Sequence, residues 1–574
     1  MRALILLAFF GFSTSIGFGQ EFYSQEYNLD IIGTYGIDLF HGGGGVSFVD
    51  YNSDGLDDLT FATNDGQDVM FFENTGDGFQ LVSPPYVSNQ YEQKQVIWID
   101  YDNDGDKDLF ISSYNGPNFL YQNNGTNGNT VLTDVTAAVG LPTNTQETFG
   151  VTFADANMDG YLDFYQSNHG PNGGSGAPNQ FYIYDQPSLG YINVTTQSNT
   201  SNGSRLSFCS AFFDFDRDGD LDLYVANDKI SQENTMYMNI GGATYVDVSI
   251  PSNTNIKINA MNTAIGDYNN DGQFDIYVTN DNTSPAVLLQ NDGDNTFTDV
   301  TGTAGVTFDK NGWTGNFLDF DNDMDLDLYV ASYDFGGDNP SALFVNDDNG
   351  SFTEPLNTIG GIAGMDTIGA HVNAYGDFNN DGRIDIAVSR ILEENFSLFS
   401  NHLENNNNYI ALNLEGTIAN KDAYGITMEV WINGNSRLYA THSTHAYLSQ
   451  NSDKHIIGIG SNTSVDSIEI YWPSSTGLET ILGSTLMVNG INDIVEGSGV
   501  TDSYTSKLCR TAHDVIINPI PSQTYGANET ILSSSSVITG SDVDFTAEQE
   551  ITLDIDFEVE VGAVFTAEIT TCNN

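Results

Sequence analysis

A chain of 574 residues with 78 acidic and only 15 basic side chains carries a formal charge of −63 at neutral pH. That balance excludes the clustered lysines and arginines on which nucleic-acid and anionic-membrane binders depend. With 39% hydrophobic and 12% aromatic residues the chain is also too rich in core formers for a disordered polyanion. It must fold with its carboxylates solvated or paired with cations.

In chain order, residues 1–19 read as a secretory signal peptide: Arg2, an apolar run over 3–12, then small residues ending Gly17-Phe18-Gly19. The run is too short for a permanent membrane span, and no other apolar stretch approaches eighteen residues. The expectation is an exported protein, secreted or held at the cell surface, with no membrane span. Loss of Arg2 leaves the charge one unit more negative than −63. About 550 mature residues suggest three or four domains. Cys209, Cys509 and Cys572 are too few for a disulfide framework.

From residue 22 to 401 one pattern dominates: Asp-x-Asp/Asn-x-Asp-Gly-x-x-Asp, then Leu, Ile or Phe. Its seven copies start at Asp50, Asp100, Asp155, Asp214, Asp267, Asp319 and Asp377, spaced 50, 55, 59, 53, 52 and 58 residues apart. A period near fifty built from short strands marks a propeller or solenoid. Apolar runs flank every loop, such as Val96-Ile-Trp98-Ile99 before loop two and Leu109-Phe-Ile111 after it. Each loop therefore joins two antiparallel strands. A third strand (Phe119-Leu-Tyr121) and a fourth (Tyr245-Val-Asp-Val248) complete a four-stranded blade. No helical periodicity accompanies them. The seventh repeat lacks its fourth strand, and an unpaired strand stands near residues 22–32. The N-terminal strand is thus expected to close the ring, which also removes two exposed sheet edges.

Hard cations such as calcium take six to eight oxygens. A tight loop can aim side chains at positions 1, 3 and 5 at one point, with a further carboxylate from position 9. Glycine at position 6 permits the reversal. The candidate ligands are Asp50, Asn52, Asp54 and Asp58 in loop one, and Asp100, Asp102, Asp104 and Asp108 in loop two. Loop three offers Asp155, Asn157, Asp159 and Asp163, and loop four Asp214, Asp216, Asp218 and Asp222. Loop five has Asp267, Asn269, Asp271 and Asp275; loop six Asp319, Asp321, Asp323 and Asp327; loop seven Asp377, Asn379, Asp381 and Asp385. Position 12 falls inside a strand, so these are not EF-hands. In loop six Met324 replaces the glycine, and must bear the strained backbone or shift it. Up to seven Ca2+ sites are expected, with loop six the weakest.

These loops resemble the FG-GAP/VCBS repeat family, whose calcium-loop blades also occur in integrin α-subunit heads. The resemblance spans about residues 22–401 and implies an all-β, seven-bladed extracellular propeller with calcium on one rim. Propellers host both adhesion and catalysis, so it implies no chemistry by itself.

After His402 the period stops. Residues 402–500 run through Tyr409-Ile-Ala-Leu-Asn-Leu414, Asn420-Lys-Asp-Ala-Tyr-Gly425, Tyr447-Leu-Ser-Gln450, His455-Ile-Ile-Gly-Ile-Gly460 and Trp472-Pro473. This order resembles the ASPIC/UnbV domain of bacterial exported proteins and of the cartilage acidic protein family, with a departure at Ile426. His442 and His445 suggest metal or acid–base chemistry, but residues three apart on a strand face opposite sides. They are expected to serve as polar surface or packing groups. Trp472-Pro473 is expected to end a strand at a domain edge. Residues 501–524, with Pro519 and Pro521, read as a linker. Short apolar pairs in 525–574 suggest stacked small strands and resemble a C-terminal β-stack module of exported surface proteins. Cys509 and Cys572 bracket that module, as a disulfide or as two buried thiols. Cys209 reads as a buried thiol.

The sequence thus points to a non-enzymatic, calcium-binding exported protein whose partner is an extracellular glycan or protein, with no nucleic acid. The alternative is a calcium-dependent carbohydrate-active enzyme, a polysaccharide lyase or hydrolase. A lyase would need a base such as Lys, His or Tyr beside a metal-bound uronate; a hydrolase could use paired carboxylates.

Overall fold

The computed structural model describes residues 23–32 and 44–504, apart from 77, 87–90, 126–128, 171–176, 282, 334–340, 348–349, 354–368, 391–394, 404 and 474–476, and the backbone of strands between 508 and 569. The 1–19 signal peptide and Cys572 lie outside the described residues.

Val46–Val49 runs into loop one and Asp58–Phe61 leaves it; Met70–Asn74 and Phe79–Val82 complete an antiparallel four-strand path. Among the described residues the same path recurs in six further sheets, one for each remaining loop. The two strands that flank a loop are buried along nearly their whole length, as in Gln93–Ile99 and Asp108–Ser113. Both faces of each sheet pack against neighbouring sheets, so apolar runs replace strict alternation there. Between the first two sheets Tyr51 stacks on Trp98 with ring centroids 4.5 Å apart, among Val49, Leu109 and Tyr121.

The ring closes as a strand exchange. Tyr23–Ile32 pairs antiparallel with Asn395–Asn401 and completes the sheet of loop seven. Phe396 of that sheet stacks on Phe61 of the first at 3.9 Å. Among the described residues the α-helices are two single turns, Thr195–Ser198 and Thr301–Ala304, ended by left-handed Asn199 and Gly305.

The next region is a two-sheet unit. Asn408–Glu415, His455–Gly460, Ile491–Val495 and Gly499–Tyr504 form one sheet; Thr427–Ile432, Asn435–Ala440, Ser467–Trp472 and Gly477–Leu482 form the other. Ile410, Leu412, Met428, Ile457, Ile468 and Trp472 fill the space between them. Trp472 ends its strand as expected, but it sits in the core rather than at a domain edge, its indole N–H donating to Glu479 at 2.9 Å. The 501–524 linker reading also needs correction. Gly499–Tyr504 pairs with Ile491–Val495, and Leu508–Val515 pairs in parallel with Gln523–Ser533. Backbone pairing outweighs the polar composition that suggested a linker. Gln523–Ser533, Asp542–Ala547 and Val564–Ile569 continue as parallel neighbours, the expected stacked strands.

One stretch of the two-sheet unit leaves it and enters the ring. Leu448 joins Val46, Phe48, Phe149 and Phe208, drawn from three different sheets, and Met261 in one core. The Thr152, Thr263 and Thr314 hydroxyls donate to the carbonyls of Thr444, His445 and Tyr447 at 2.9, 3.0 and 3.1 Å. Gln450 accepts from the Ser47 hydroxyl at 2.7 Å and the Trp98 amide at 2.8 Å, and donates to the Trp98 carbonyl at 2.7 Å. Residues 441–451 therefore plug the axis of the propeller.

Candidate metal centres on the loop rim

All seven loops share one backbone. Residues at position 4 are left-handed, with φ from 56° to 61° at Ser53, Asn103, Met158, Arg217, Asn270, Asn322 and Asn380. The glycines at position 6 take φ between 80° and 99°. Left-handed residues on either side of position 5 turn the amides of positions 5 and 6 toward the first carboxylate. In loop two Asp104 N–H donates to one Asp100 oxygen at 3.0 Å and Gly105 N–H to the other at 2.8 Å. The same pair recurs on Asp50, Asp155, Asp214, Asp267, Asp319 and Asp377.

Position 9 is buried and anchored from the third strand. Asp58, Asp108, Asp222, Asp275, Asp327 and Asp385 each accept the backbone N–H of an asparagine, respectively Asn74, Asn123, Asn239, Asn291, Asn346 and Asn401. Asp163 accepts from Tyr184 N–H instead. Five of these asparagines also reach the preceding loop: Asn239, Asn291, Asn346 and Asn401 donate to Ala156, Phe215, Tyr268 and Phe320 carbonyls. Asn74 donates across the ring closure to Phe378 O at 2.6 Å. Sequence reasoning missed these loop clamps. Their signal was present as an asparagine two residues after an aromatic or leucine, as in Phe72-Glu-Asn74 and Phe399-Ser-Asn401.

The remaining oxygens fit a hard cation. Buried Asp58 Oδ2, Asp102 Oδ1, Asp216 Oδ1, Asp275 Oδ2 and Asp321 Oδ1 have no hydrogen-bond partner among the described residues. An unpartnered buried acceptor costs stability unless something positive meets it. Ligand atoms of Asp100, Asp102 and Asp108 lie within 4.8 Å of one another, as do those of Asp214, Asp216 and Asp218, and of Asp319, Asp321 and Asp327. Burial is the main force pushing Asp155 and Asp267 up to about 7 and Asp214 to about 6; neighbouring carboxylates add to it. The loops supply what calcium requires, carboxylate and amide oxygens on a preformed backbone.

Met324 bears the strain that the sequence left open. Its φ is 86°, inside the glycine range of the other loops, and its N–H keeps the bond to Asp319 at 3.1 Å. Its side chain packs against the core of the two-sheet unit, with Asn462 Nδ2 3.6 Å from the sulfur.

That packing belongs to a wider contact, because the two-sheet unit covers the rim. Asp422 accepts the Asp100 amide at 2.6 Å and the Lys107 ammonium at 2.7 Å. Lys107 also meets Asp453 at 2.5 Å, and Tyr424 O–H donates to Asp453 at 2.6 Å. Arg217 of loop four pairs with Glu429 at 2.7 Å, Ser452 donates to Asp57 at 2.9 Å, and Arg437 Nε donates to Met324 O at 3.2 Å. A β-carbon on Gly458 would collide with the Asp319 carboxylate. Beside loops one and two a polar cleft of about 610 Å³ remains, lined by Asp50, Asp100, Lys107, Lys421, Asp493 and Asp502 among others.

His442 and His445 do converge, contrary to the strand-based expectation. They lie in the non-strand part of the plug, where their rings stack at 4.6 Å. His442 contacts Phe212 O at 3.1 Å and His445 contacts Asn451 at 3.2 Å, so both act in packing. Burial pushes His445 down to about 4. Cys209 is a buried free thiol whose pKa burial raises to about 11.

A model of the FG-GAP-like repeat matches residues 50–111, 100–165, 214–278, 267–330 and 319–388. The chain belongs to that family. An ASPIC and UnbV model matches residues 416–499, within the two-sheet unit. No curated protein matches the chain. Among solved structures it is similar to an ancestral GH74 enzyme at 13% identity and TM-score 0.42, over 76% of this chain and 53% of that one. The chain thus spans about half the length of that enzyme. It is also similar to the SapL1 lectin in complex with α-methyl fucoside, at 10% identity and TM-score 0.33, over 54% of this chain and 95% of that one. A mutant of AofleA from Arthrobotrys oligospora matches at 9% identity and TM-score 0.33, over 55% of this chain and 87% of that one. Among the described residues no helix is long and apolar enough to cross a membrane.

Proposed function

We propose that this FG-GAP-like protein is an exported, calcium-stabilised, non-enzymatic binding protein that takes an extracellular glycan or protein. The observation that carries calcium is the set of buried, unpartnered carboxylate oxygens inside loops of one shared backbone. A divalent ion would be held by positions 1, 3, 5 and 9 of each loop, and would supply the positive charge those oxygens lack. The binding role is supported by the use made of the strongest polar groups beside the loops. Lys107, Asp422, Asp453 and Tyr424 are spent on one another, and together fasten the two-sheet unit to the rim.

A second reading, a calcium-dependent carbohydrate-active enzyme, is favoured by one feature. The 610 Å³ cleft brings position-1 carboxylates Asp50 and Asp100 beside Lys107 and Lys421. Glycan-array binding and a polysaccharide depolymerisation screen, each with and without chelator, separate the two. The expected result is calcium-dependent retention of an intact polymer or protein. Cleavage of any polymer would replace the binding reading with the enzymatic one.

A further inference from the structure

The seven loops differ at positions 3 and 7. Loops two, four and six carry Asp at both: Asp102 and Asp106, Asp216 and Asp220, Asp321 and Asp325. Loops one, three, five and seven carry Asn52, Asn157, Asn269 and Asn379 at position 3, with no acid at position 7. The difference changes what each loop can do alone. In loops three, five and seven the asparagine Nδ2 donates to the position-5 carboxylate, at 3.0 Å on Asp159, 2.9 Å on Asp271 and 3.0 Å on Asp381. One oxygen of that carboxylate is therefore satisfied from within the loop.

In loops two, four and six no such donor exists. Asp102, Asp216 and Asp321 each leave Oδ1 buried without a partner, and each stands against the next carboxylate, Asp104, Asp218 or Asp323. Asp106 adds another unpartnered buried oxygen in loop two. Among the described residues, the three groups of carboxylate oxygens lying within 4.8 Å of one another all belong to these loops. A cation would relieve the repulsion between positions 3 and 5 there, whereas in loops three, five and seven the asparagine amide already bridges those two positions.

We infer that the rim holds two classes of cation site: three charge-rich loops, two, four and six, that bind first and tightly, and four asparagine loops that bind later and weakly. This rests on the reading of the loops as calcium sites, and assigns Asp106, Asp220 and Asp325 as the residues that deepen the charge of the tight class. More carboxylate ligands raise calcium affinity. Loop six falls in the tight class despite Met324. Its loop hydrogen bonds are intact, and backbone strain present with and without the ion does not weaken binding.

The test is a calcium titration of the chelator-stripped full mature chain by calorimetry, with total bound metal counted by elemental analysis. The expected isotherm has a step of three ions followed by a weaker step, at least about tenfold apart. Asp102→Asn, Asp216→Asn and Asp321→Asn, one at a time, should each move one ion from the tight step to the weak one. Asn157→Asp should add a fourth tight ion, a gain that misfolding cannot produce. A single class of seven equal sites, or single variants that leave the tight count at three, would overturn the two-class assignment while keeping calcium. No bound calcium at all would overturn the calcium reading itself.

Discussion

The two-sheet unit holds the ring in two physically different ways. On the rim it uses ion pairs and side-chain bonds to the loops: Lys107 with Asp422 and Asp453, Arg217 with Glu429, and Ser452 with Asp57. Along the axis, residues 441–451 are threaded through the ring, with Tyr447 fully buried between Phe208 and Trp313 and Gln450 bonded to two sheets. The rim contacts rest on acidic loops that, on the calcium reading, need a cation to balance their charge; the axial contacts rest on packing and neutral hydrogen bonds. Chelator should therefore loosen the first and spare the second, while changes in the plug do the reverse.

The largest effect expected is from calcium removal. At tenfold excess over the weaker class's dissociation constant, mass action contributes at least about 1.4 kcal/mol for each independent site, so seven sites amount to roughly 10 kcal/mol or more. Melting with and without chelator checks this. An unchanged melting temperature would leave the loops as ordinary turns. Because burial holds Asp155 and Asp267 up to about 7, calcium must also displace protons there. Adding calcium to the stripped protein near neutral pH should acidify an unbuffered solution.

Next in size is Tyr447→Ala. This side chain is 0% exposed, packs edge-on to Phe208 at 5.6 Å and tilted to Trp313 at 5.4 Å, and lies on the shared axis of the sheets. Truncation should cost about 3–5 kcal/mol. The loss should persist in chelator, since the ring packs against Phe208 and Trp313, both outside the loops. A loss that vanished in chelator would mean that plug and rim are one attachment.

The same division explains what was legible in the sequence. Ligand spacing within a loop is a matter of nine residues, and the repeat displayed it seven times. The pairing of Tyr23–Ile32 with Asn395–Asn401 followed from a missing partner. The plug was not legible, because Gln450 meets Trp98 across 352 residues and Thr444 meets Thr152 across 292. Nothing in the local text of 441–451 distinguishes a threaded segment from a surface turn. His442 and His445 were misjudged for that reason: their three-residue spacing was read on a strand, and a turn brings the rings together. Met324 was readable as strain but not as an anchor, since its partner core is formed by residues beyond 405.

Acid should test the plug through His445. Its folded value lies below the ordinary 6.5, at about 4, so the neutral ring is favoured in the folded state. The stability it contributes is present above 6.5 and is lost as pH falls from 6.5 toward 4. The full loss is on the order of 3 kcal/mol. Loop carboxylates such as Asp155 and Asp267 run the opposite way in chelator, because their raised values make the folded state gain as they protonate. Comparison of the parent with His445→Gln, both in chelator, isolates the imidazole. The difference between them should shrink or reverse below pH 5; a constant offset would show that His445 never titrates in the folded chain.

The smallest effect expected is at Met324, a loop residue whose side chain packs into the two-sheet core. Met324→Gly would release the positive-φ strain, worth roughly 1–3 kcal/mol for a non-glycine residue. It would also remove a half-buried side chain from the two-sheet core, a loss of similar size for a methionine that is only partly covered. The two changes oppose, so the melting temperature in chelator should move by no more than about 1 kcal/mol equivalent. Met324→Ala separates them, because alanine keeps the strained φ and still loses the packing. That variant should melt below both parent and glycine forms. If Met324→Gly instead stabilised by the whole strain energy, the side chain would contribute nothing to holding the unit on loop six, and its contact with Asn462 would be incidental.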